Sequence, residues 1–474
     1  MADALWTVDE LLKATGGRLH GQVTSPLTGI TIDSRAVGPG DIFVAIKGER
    51  HDGHDFVAGA LKSGASLAIV SRVTPEMLAA GPVLEVAEDP LRGLENMGRH
   101  ARARCQGQIV AVTGSVGKTS TKEMLRTALS ASGATHASAA SFNNHWGVPL
   151  TLARMPRETA FGIFEIGMNH AGEITPLVGM VRPHVAIVTT IAPSHLGNFD
   201  SLDGIADAKA EIFTGVASGG HAVISRDTPF FERLAAAARA CGIGDIVSFG
   251  QHEAADVRLE RVALHAECSC ITASVMGETL IYKLGVPGQH MALNSLAVLA
   301  TAKLTGADLA RAALALAAAR PAKGRGVRES LTIAGGELLL IDESYNANPA
   351  SVAAALALLG AAKPGRGGRR IAVLGDMLEL GGKGPELHAG LIEPVTGAGV
   401  DLVYASGPLM SHLWERVAPE KRGAYASASE GLSAPLLGSL RPGDVVMIKG
   451  SLGSRMGPLA DAIRAAHPPV AKES

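Results

Sequence analysis

Between Gln108 and Ser120 the chain reads Gln-Ile-Val-Ala-Val-Thr113-Gly114-Ser115-Val116-Gly117-Lys118-Thr119-Ser120. A β-branched run leads into a glycine turn, and a helix is expected to start at Thr119. Glycines let the backbone curl until its N–H groups face a phosphate, and the helix N-terminus adds a favourable dipole. In such a loop Lys118 reaches the terminal phosphates and the Thr119 hydroxyl sits on Mg²⁺. A nucleotide and Mg²⁺ are therefore the expected ligands. The spacing is the shorter form, because Val112 stands where the longer loop has its first glycine. A plain strand-to-helix turn with a chance lysine would share these glycines; the flanking strand and helix favour the phosphate reading. Alone, the loop says only nucleotide. A motor, a GTPase switch or a small-molecule kinase would carry one too.

Polar residues at the ends of apolar runs narrow the choice. Glu165 lies inside Phe161-Gly-Ile-Phe-Glu165-Ile166, and a buried carboxylate is costly unless paired or on a metal. Beside a phosphate loop its natural use is as a Mg²⁺ ligand; the alternative is a core glutamate bonded to backbone amides. His195 follows the run Val185–Ile191, as a ligand or as an ordinary loop histidine. Lys209, in Asp207-Ala-Lys209-Ala-Glu211, reads from its local pattern as a helix-surface lysine. Asp342 and Asp376 end the runs Leu338–Ile341 and Ile371–Gly375, as ligands or as caps. Together the set suits phosphoryl transfer.

The elements that must position these residues are short apolar runs alternating with helical stretches. That pattern argues for parallel sheets covered by helices, with ligands at the carboxyl edges of the strands. Strands are expected at Gln108–Thr113, Phe161–Ile166, Val185–Ile191, His221–Ser225, Leu338–Asp342, Ile371–Gly375, Leu402–Ala405 and Val445–Lys449. An initial stretch has its own turn, Gly38-Pro39-Gly40-Asp41, and strand, Ile42–Ile46. A helix over Pro90–Arg104 leads into the phosphate-loop strand. An Ala-rich helix over Asp308–Arg320 precedes the break Pro321-Ala322-Lys323-Gly324-Arg325. The expected fold class is α/β in three domains, 1–87, 88–320 and 321–474. The central one is a phosphate-loop domain with a mostly parallel sheet, and the last is Rossmann-like.

Composition excludes several classes. The 474 residues are too many for one core. A formal net charge of −2 offers no basic field for nucleic acid. Cys105, Cys241, Cys268 and Cys270 fit neither a disulfide framework nor a zinc site, and read as reduced thiols. No apolar run approaches the ~20 residues of a membrane span, and no leader pattern opens the chain. A cytoplasmic enzyme is expected, with no membrane insertion.

Taken in order, the motifs resemble the Mur ligases over essentially the whole chain. The likeness is carried by Asp33-Ser34-Arg35, Pro39–Ile46 and Asp52–Phe56, and then by Thr113–Thr119, Asn143-Asn144 through Thr151, and Glu165–His170. His195, Lys209 with Glu211-Ile-Phe213, and His290 with Asn294 follow. Lys323-Gly-Arg325, Asp342–Pro349, Leu374–Gly381 and Lys449-Gly-Ser451 complete it. The resemblance implies an ATP-dependent amide ligase of cell-wall precursor synthesis, working through an acyl phosphate. It implies that Ser34 and Arg35 hold the uridine diphosphate end of the substrate and that Asn143 and Asn144 also bind substrate. Thr113, Gly114, Ser115, Val116, Gly117, Lys118 and Thr119 would bind ATP phosphates, Asn294 adenine, with Arg325 and Asp342 reaching ATP from the third domain. Thr119 and Glu165 would hold one Mg²⁺, His195 and a carbamylated Lys209 a second; Lys118, Lys209 and His195 are the expected catalytic set. The stretches Tyr345–Ser351 and Gly375–Gly381 are most similar to the branch that adds a dipeptide. The implied small-molecule partners are therefore UDP-muramoyl tripeptide and D-alanyl-D-alanine. A tripeptide-forming or folate-polyglutamylating relative is the nearer alternative. One departure is visible: relatives often continue Lys-Gly-Ser-Arg, whereas this chain reads Lys449-Gly-Ser451-Leu452-Gly-Ser-Arg455.

Overall fold

A computed structural model describes residues 4–139, 141–194 and 196–470. Among these, the strands form three sheets of five, nine and six strands. In the first sheet Gly29–Thr31, Asp41–Val44, Leu67–Val70 and Val83–Glu85 run parallel, and Arg18–His20 adds an antiparallel edge. Its core does not stop at the sheet. Trp6, Leu11, Ile30 and Ile42 are buried in one cluster with Leu94, Met97 and Ala101 of the helix Pro90–Arg104, and with Leu150 and Ala153. That helix is amphipathic and capped by Asp89, with Pro90 at its first position.

The nine-stranded sheet carries the phosphate loop. Gln108–Thr113 lies between Phe161–Glu165 and Val185–Val188, parallel to both. The chain therefore leaves this strand toward one side of the sheet and later returns on the other. A crevice opens at the carboxyl edge of such a switch point. His221–Ser225 and Asp245–Gly250 continue the parallel order. Val257–Leu264 starts parallel, after which Ser269–Val275 and Glu278–Leu284 extend the sheet antiparallel. These last strands alternate buried and exposed residues, a half-solvated pattern that a search for continuous apolar runs passes over. The third sheet is a hairpin, Val327–Ile333 with Gly336–Glu343, joined to parallel Val445–Lys449, Arg370–Gly375, Leu402–Ser406 and Arg422–Ala426.

Several expected boundaries shift by a residue or two, and two differ by more. The strand from Val185 ends at Val188, not Ile191. Thr189 and Thr190 leave the ladder to bond the phosphate loop: the Thr189 N–H donates to Thr113 O at 3.0 Å, and the Ser115 N–H to Thr190 O at 2.8 Å. The stretch Asp308–Arg320 is an α-helix only over Leu309–Ala315, followed by a 3₁₀ turn. Among the described residues no helix is long and apolar enough to cross a membrane.

Candidate functional site

Gly114 and Gly117 have φ of 145° and 91°, the region that favours glycine. Sterics require them as well. A Cβ on Gly114 would fall 1.9 Å from Thr189 Oγ1, and one on Gly117 would fall 2.7 Å from Asn294 Nδ2. The Thr189 hydroxyl also donates to Val116 O at 2.6 Å, so the loop is held in shape from the neighbouring strand. At its tip the helix Lys118–Leu129 begins, one residue earlier than expected. The Lys118 ammonium donates to Gly114 O at 2.6 Å. Burial pushes its pKa down and Arg325 adds to that, with Glu165 opposing. The hydroxyls of Thr113 and Ser115 are buried without a partner, and that of Ser115 faces the cleft. Unpaired buried donors of this kind suit phosphate oxygens. Asn294 lies against Gly117 and does not line the cleft; His290, one helical turn earlier, does.

Glu165, 1% exposed, ends its strand beside this loop. One oxygen accepts from the Thr119 hydroxyl at 2.8 Å, the other from Asn143 Nδ2 at 2.7 Å. A hydroxyl and a carboxylate converging at a phosphate loop are the donor set with which Mg²⁺ is held beside nucleotide phosphates and water. No cluster of three His, Cys, Asp or Glu that could hold a metal occurs among the described residues. The fit is to an ion shared with a substrate, not to an all-protein cage.

Lys209 corrects the surface reading. It ends the helix Leu202–Ala210 yet is 1% exposed. Burial, and next the nearby Lys118, push its pKa well below the ordinary lysine value, with Glu211 opposing. The helix turns this position inward because Ile205 and Ala206 on the same face pack into the core under the sheet. A lowered pKa makes the neutral amine, the form that attacks CO₂, easier to reach. His195 lies outside the described residues. Of its neighbours, Ser194 has a buried hydroxyl without a partner.

The third domain closes the cleft. A cavity of about 280 Å³ is lined by Ser115–Ser120 and Glu165 on one side, and by Arg325, Glu343, Tyr345 and Lys449 on the other. Arg325 stacks on the Tyr345 ring, 4.3 Å from its centroid, and its Nη2 reaches Ser141 Oγ of the central domain at 3.4 Å. Asp342 opens instead onto an adjoining cavity of about 500 Å³ that also reaches Thr119 and Arg325. Its carboxylate is held by Arg464 at 2.7 Å and by the Ser344 hydroxyl at 2.6 Å. Local pattern alone assigned no role to Lys449 and Glu343. Lys449 is 3% exposed, bonds Glu343 at 3.3 Å and Asn346 O at 2.9 Å, and ends an apolar strand as Glu165 does. The strand-end rule would have found it. His290 faces both; burial pushes its pKa down, against Glu343 and with Lys449. Asp376 stays out of the cleft, capping Met410 N–H at 2.8 Å.

A larger cavity, about 1260 Å³, lies between the first and central domains. Ser34, Arg35, Asn144 and Trp146 are among its walls. Arg35 is paired to Asp33 at 2.7 Å but its side chain is 88% exposed. Asn143 and Asn144 part company: Asn143 bonds Glu165, while Asn144 Oδ1 caps the Gly147 N–H at 2.9 Å.

Residues 26–101 match the Mur ligase family catalytic domain, 112–302 the Mur ligase middle domain, and 330–452 the Mur ligase glutamate ligase domain. The chain is 35% identical to the UDP-N-acetylmuramoyl-tripeptide–D-alanyl-D-alanine ligase of Escherichia coli, over 85% of this chain and 86% of that protein. It superposes with a TM-score of 0.81, at 31% identity, on the UDP-N-acetylmuramoylalanyl-D-glutamyl-2,6-diaminopimelate–D-alanyl-D-alanyl ligase of Acinetobacter baumannii, covering 97% and 98% of the two chains. Against MurF ligase from Thermotoga maritima in complex with ADP the TM-score is 0.74 at 25% identity, covering 93% and 97%.

Proposed function

The chain belongs to the Mur ligase family, and on that premise we propose that it joins D-alanyl-D-alanine to UDP-N-acetylmuramoyl tripeptide in peptidoglycan precursor synthesis, in the cytoplasm. ATP is the phosphate donor. The observation that carries the reading is the juxtaposition of Lys118, Thr119 and Glu165 with Arg325 and Lys449 around one cleft, with a substrate-sized cavity adjoining through the Asn143-Asn144 loop. The proposed division of labour assigns residues 1–87 to the UDP end, 88–320 to ATP, and 321–474 to closure and the amine.

A peptide carboxylate resists amines because its oxygen is a poor leaving group. Attack of that oxygen on the γ-phosphorus of ATP breaks the bond to ADP and gives an acyl phosphate. The dipeptide amine, having lost its proton, then attacks the carbonyl carbon and expels phosphate. Thr113–Thr119 cradle the phosphates, and Lys118 leaves Gly114 O to meet the charge that develops on the transferred group. Mg²⁺, held by Thr119 and Glu165 and at a second position by His195 and carbamylated Lys209, supplies charge neutralisation when bound. Carbamylation turns a lysine that would repel a cation into an anionic oxygen donor, and the depressed pKa of Lys209 favours it. Ser34 and Arg35 anchor the UDP end, and Asn143 keeps Glu165 oriented toward Thr119. Arg325 and Asp342 complete the nucleotide site from the third domain, and Asn294 supports the loop from the adenine side. Closure by the third domain excludes water from an intermediate that water would destroy.

Chromatography with mass detection tests the assignment. D-alanyl-D-alanine with ATP and UDP-muramoyl tripeptide should give the pentapeptide product, and neither meso-diaminopimelate nor L-lysine should be added to the UDP-muramoyl dipeptide. Product with a diamino acid and none with D-alanyl-D-alanine would overturn it. Phosphate release with nothing joined would indicate a nucleotide switch.

A further inference from the structure

His388 is fully buried on the short helix Gly384–Ala389, outside the lining of the ATP cleft. No step of the proposed reaction uses it. Its two ring nitrogens meet backbone groups of opposite kind. Nε2 lies 2.9 Å from the Met377 nitrogen, whose N–H can only donate, and Nδ1 lies 2.7 Å from Gly384 O, which can only accept. The ring is therefore neutral, with its proton on Nδ1.

What this imidazole holds is the loop that meets the central domain. Met377 and Leu380 are buried in the third-domain core, while Leu378 and Glu379 between them are exposed. The Leu378 N–H donates to Ser451 Oγ at 2.9 Å. Glu379 has a φ of 64°, a left-handed conformation that is strained for a residue with a Cβ. Such strain persists only where the surroundings impose it, and here His388 and Ser451 fix the two residues before it. The turn aims Glu379 O at the Gly197 N–H, 3.0 Å away.

We propose that His388 is a positioning residue for domain closure: by accepting the Met377 N–H from inside the third domain, it fixes the loop Asp376–Gly381 in the shape that docks on Gly197. Asp376 on that loop and His412 on the helix Ser411–Trp414 are the groups whose charge reaches the ring, while Lys383 and Glu386 beside it are exposed. Burial pushes its pKa below the ordinary 6.5; Gly384 O and Asp376 oppose that, and His412 adds to it. Asp376 is itself engaged by the Met410 N–H at 2.8 Å. A proton on Nε2 would set one N–H against another, so the protonated ring belongs to the released loop. Docking therefore weakens as pH falls below 6.5. The link from docking to turnover rests on the proposed reaction.

X-ray scattering of the full chain with a non-hydrolysable ATP analogue bound, and turnover with ATP, test this on wild type, His388→Leu and His388→Gln. Leucine fills the space but leaves the Met377 N–H without an acceptor, so the molecule should open and turnover should fall about tenfold at neutral pH. Glutamine offers its side-chain oxygen to the same N–H and takes up no proton, so it should restore closure and most of the turnover. As pH falls below 6.5 the wild type should open and the glutamine variant should not. Glutamine as poor as leucine, or opening that follows pH equally in wild type and glutamine variant, would overturn the proposal. So would a leucine variant that loses stability in urea yet stays closed and active. A wild type that ligates nothing would instead refute the ligase reading, and scattering would still decide the role of His388.

Discussion

The first and third domains meet the central one in opposite ways. The first is fused to it by a shared apolar core: Trp6, Leu11 and Ile30 are buried against Leu94, Met97, Leu150 and Ala153. The indole N–H of Trp6 donates to Ala153 O at 2.8 Å, Arg104 stacks on the same ring at 4.3 Å, and Arg154 Nε donates to Ile30 O at 2.6 Å. The third domain has no such bridge; none of the clusters of buried apolar residues among the described positions spans that junction. Its contacts include Arg325 with Ser141, His290 facing Glu343 and Lys449, Leu358 beside Gly288, and a pair of glycines at which the Gly197 N–H donates to Glu379 O at 3.0 Å. Apolar burial does not come apart without exposing its surface, whereas a few polar contacts exchange readily with water. The junction proposed to bind the sugar nucleotide is thus built rigid, and the one proposed to open for ATP and close over an acyl phosphate is built to part.

Four sets of substitutions would break or sharpen this contrast, and the strongest falls on the rigid junction. Trp6→Ala removes a large side chain from the shared core and should cost about 3–5 kcal/mol, read as a lowered urea midpoint. A loss below ~1 kcal/mol would mean the first domain is not fused. At the polar junction the effects should fall on turnover and spare stability. Lys118→Ala should lower turnover by about a hundredfold or more with the unfolding transition kept, and Lys209→Arg, which puts a permanent cation there and forms no carbamate, should also lower turnover. Arginine supporting full activity at position 209 would remove the carbamate from the mechanism.

Gly381→Ala comes next. Its φ is 57°, and a Cβ there would lie 2.9 Å from Gly197 Cα, so docking of the third domain is obstructed. Turnover should fall about tenfold with a stability loss near 1 kcal/mol, and X-ray scattering should show a more open molecule. Gly382→Ala, which meets nothing within 4 Å, is the control.

The smallest effect is electrostatic. Burial opposes the charge of Glu10, but Arg157, the Thr7 N–H and Arg104 outweigh it and hold its pKa at about 2, below the ordinary 4.5. A depressed carboxyl stabilises the fold above its unfolded pKa and loses that contribution as pH falls. Glu10→Gln should therefore cost about 1 kcal/mol at neutral pH, allowing for solvent screening. The difference from wild type should shrink between pH 4.5 and about 2. A gap that stays constant across that window would remove the ion pairs from the first junction.

What the sequence by itself determined is what depends on near neighbours. The phosphate loop spans seven residues, and its strand, glycines and helix start are set by local backbone preference; the helix starts one residue earlier, at Lys118. The carboxylate of Glu165 declared itself by sitting in an apolar run. Lys209 could not, because the same helical spacing serves a surface lysine and a buried one, and only packing of Ile205 and Ala206 under the sheet decides between them. Tertiary structure likewise brought Asn294 against Gly117, Lys449 to Glu343, and Arg464 to Asp342, 122 residues apart in the chain. Contacts at such separations leave no periodicity behind, since either partner alone is a common polar residue in an ordinary place. Which junction is greasy and which is wet is a property of two surfaces at once, and neither sequence stretch contains it.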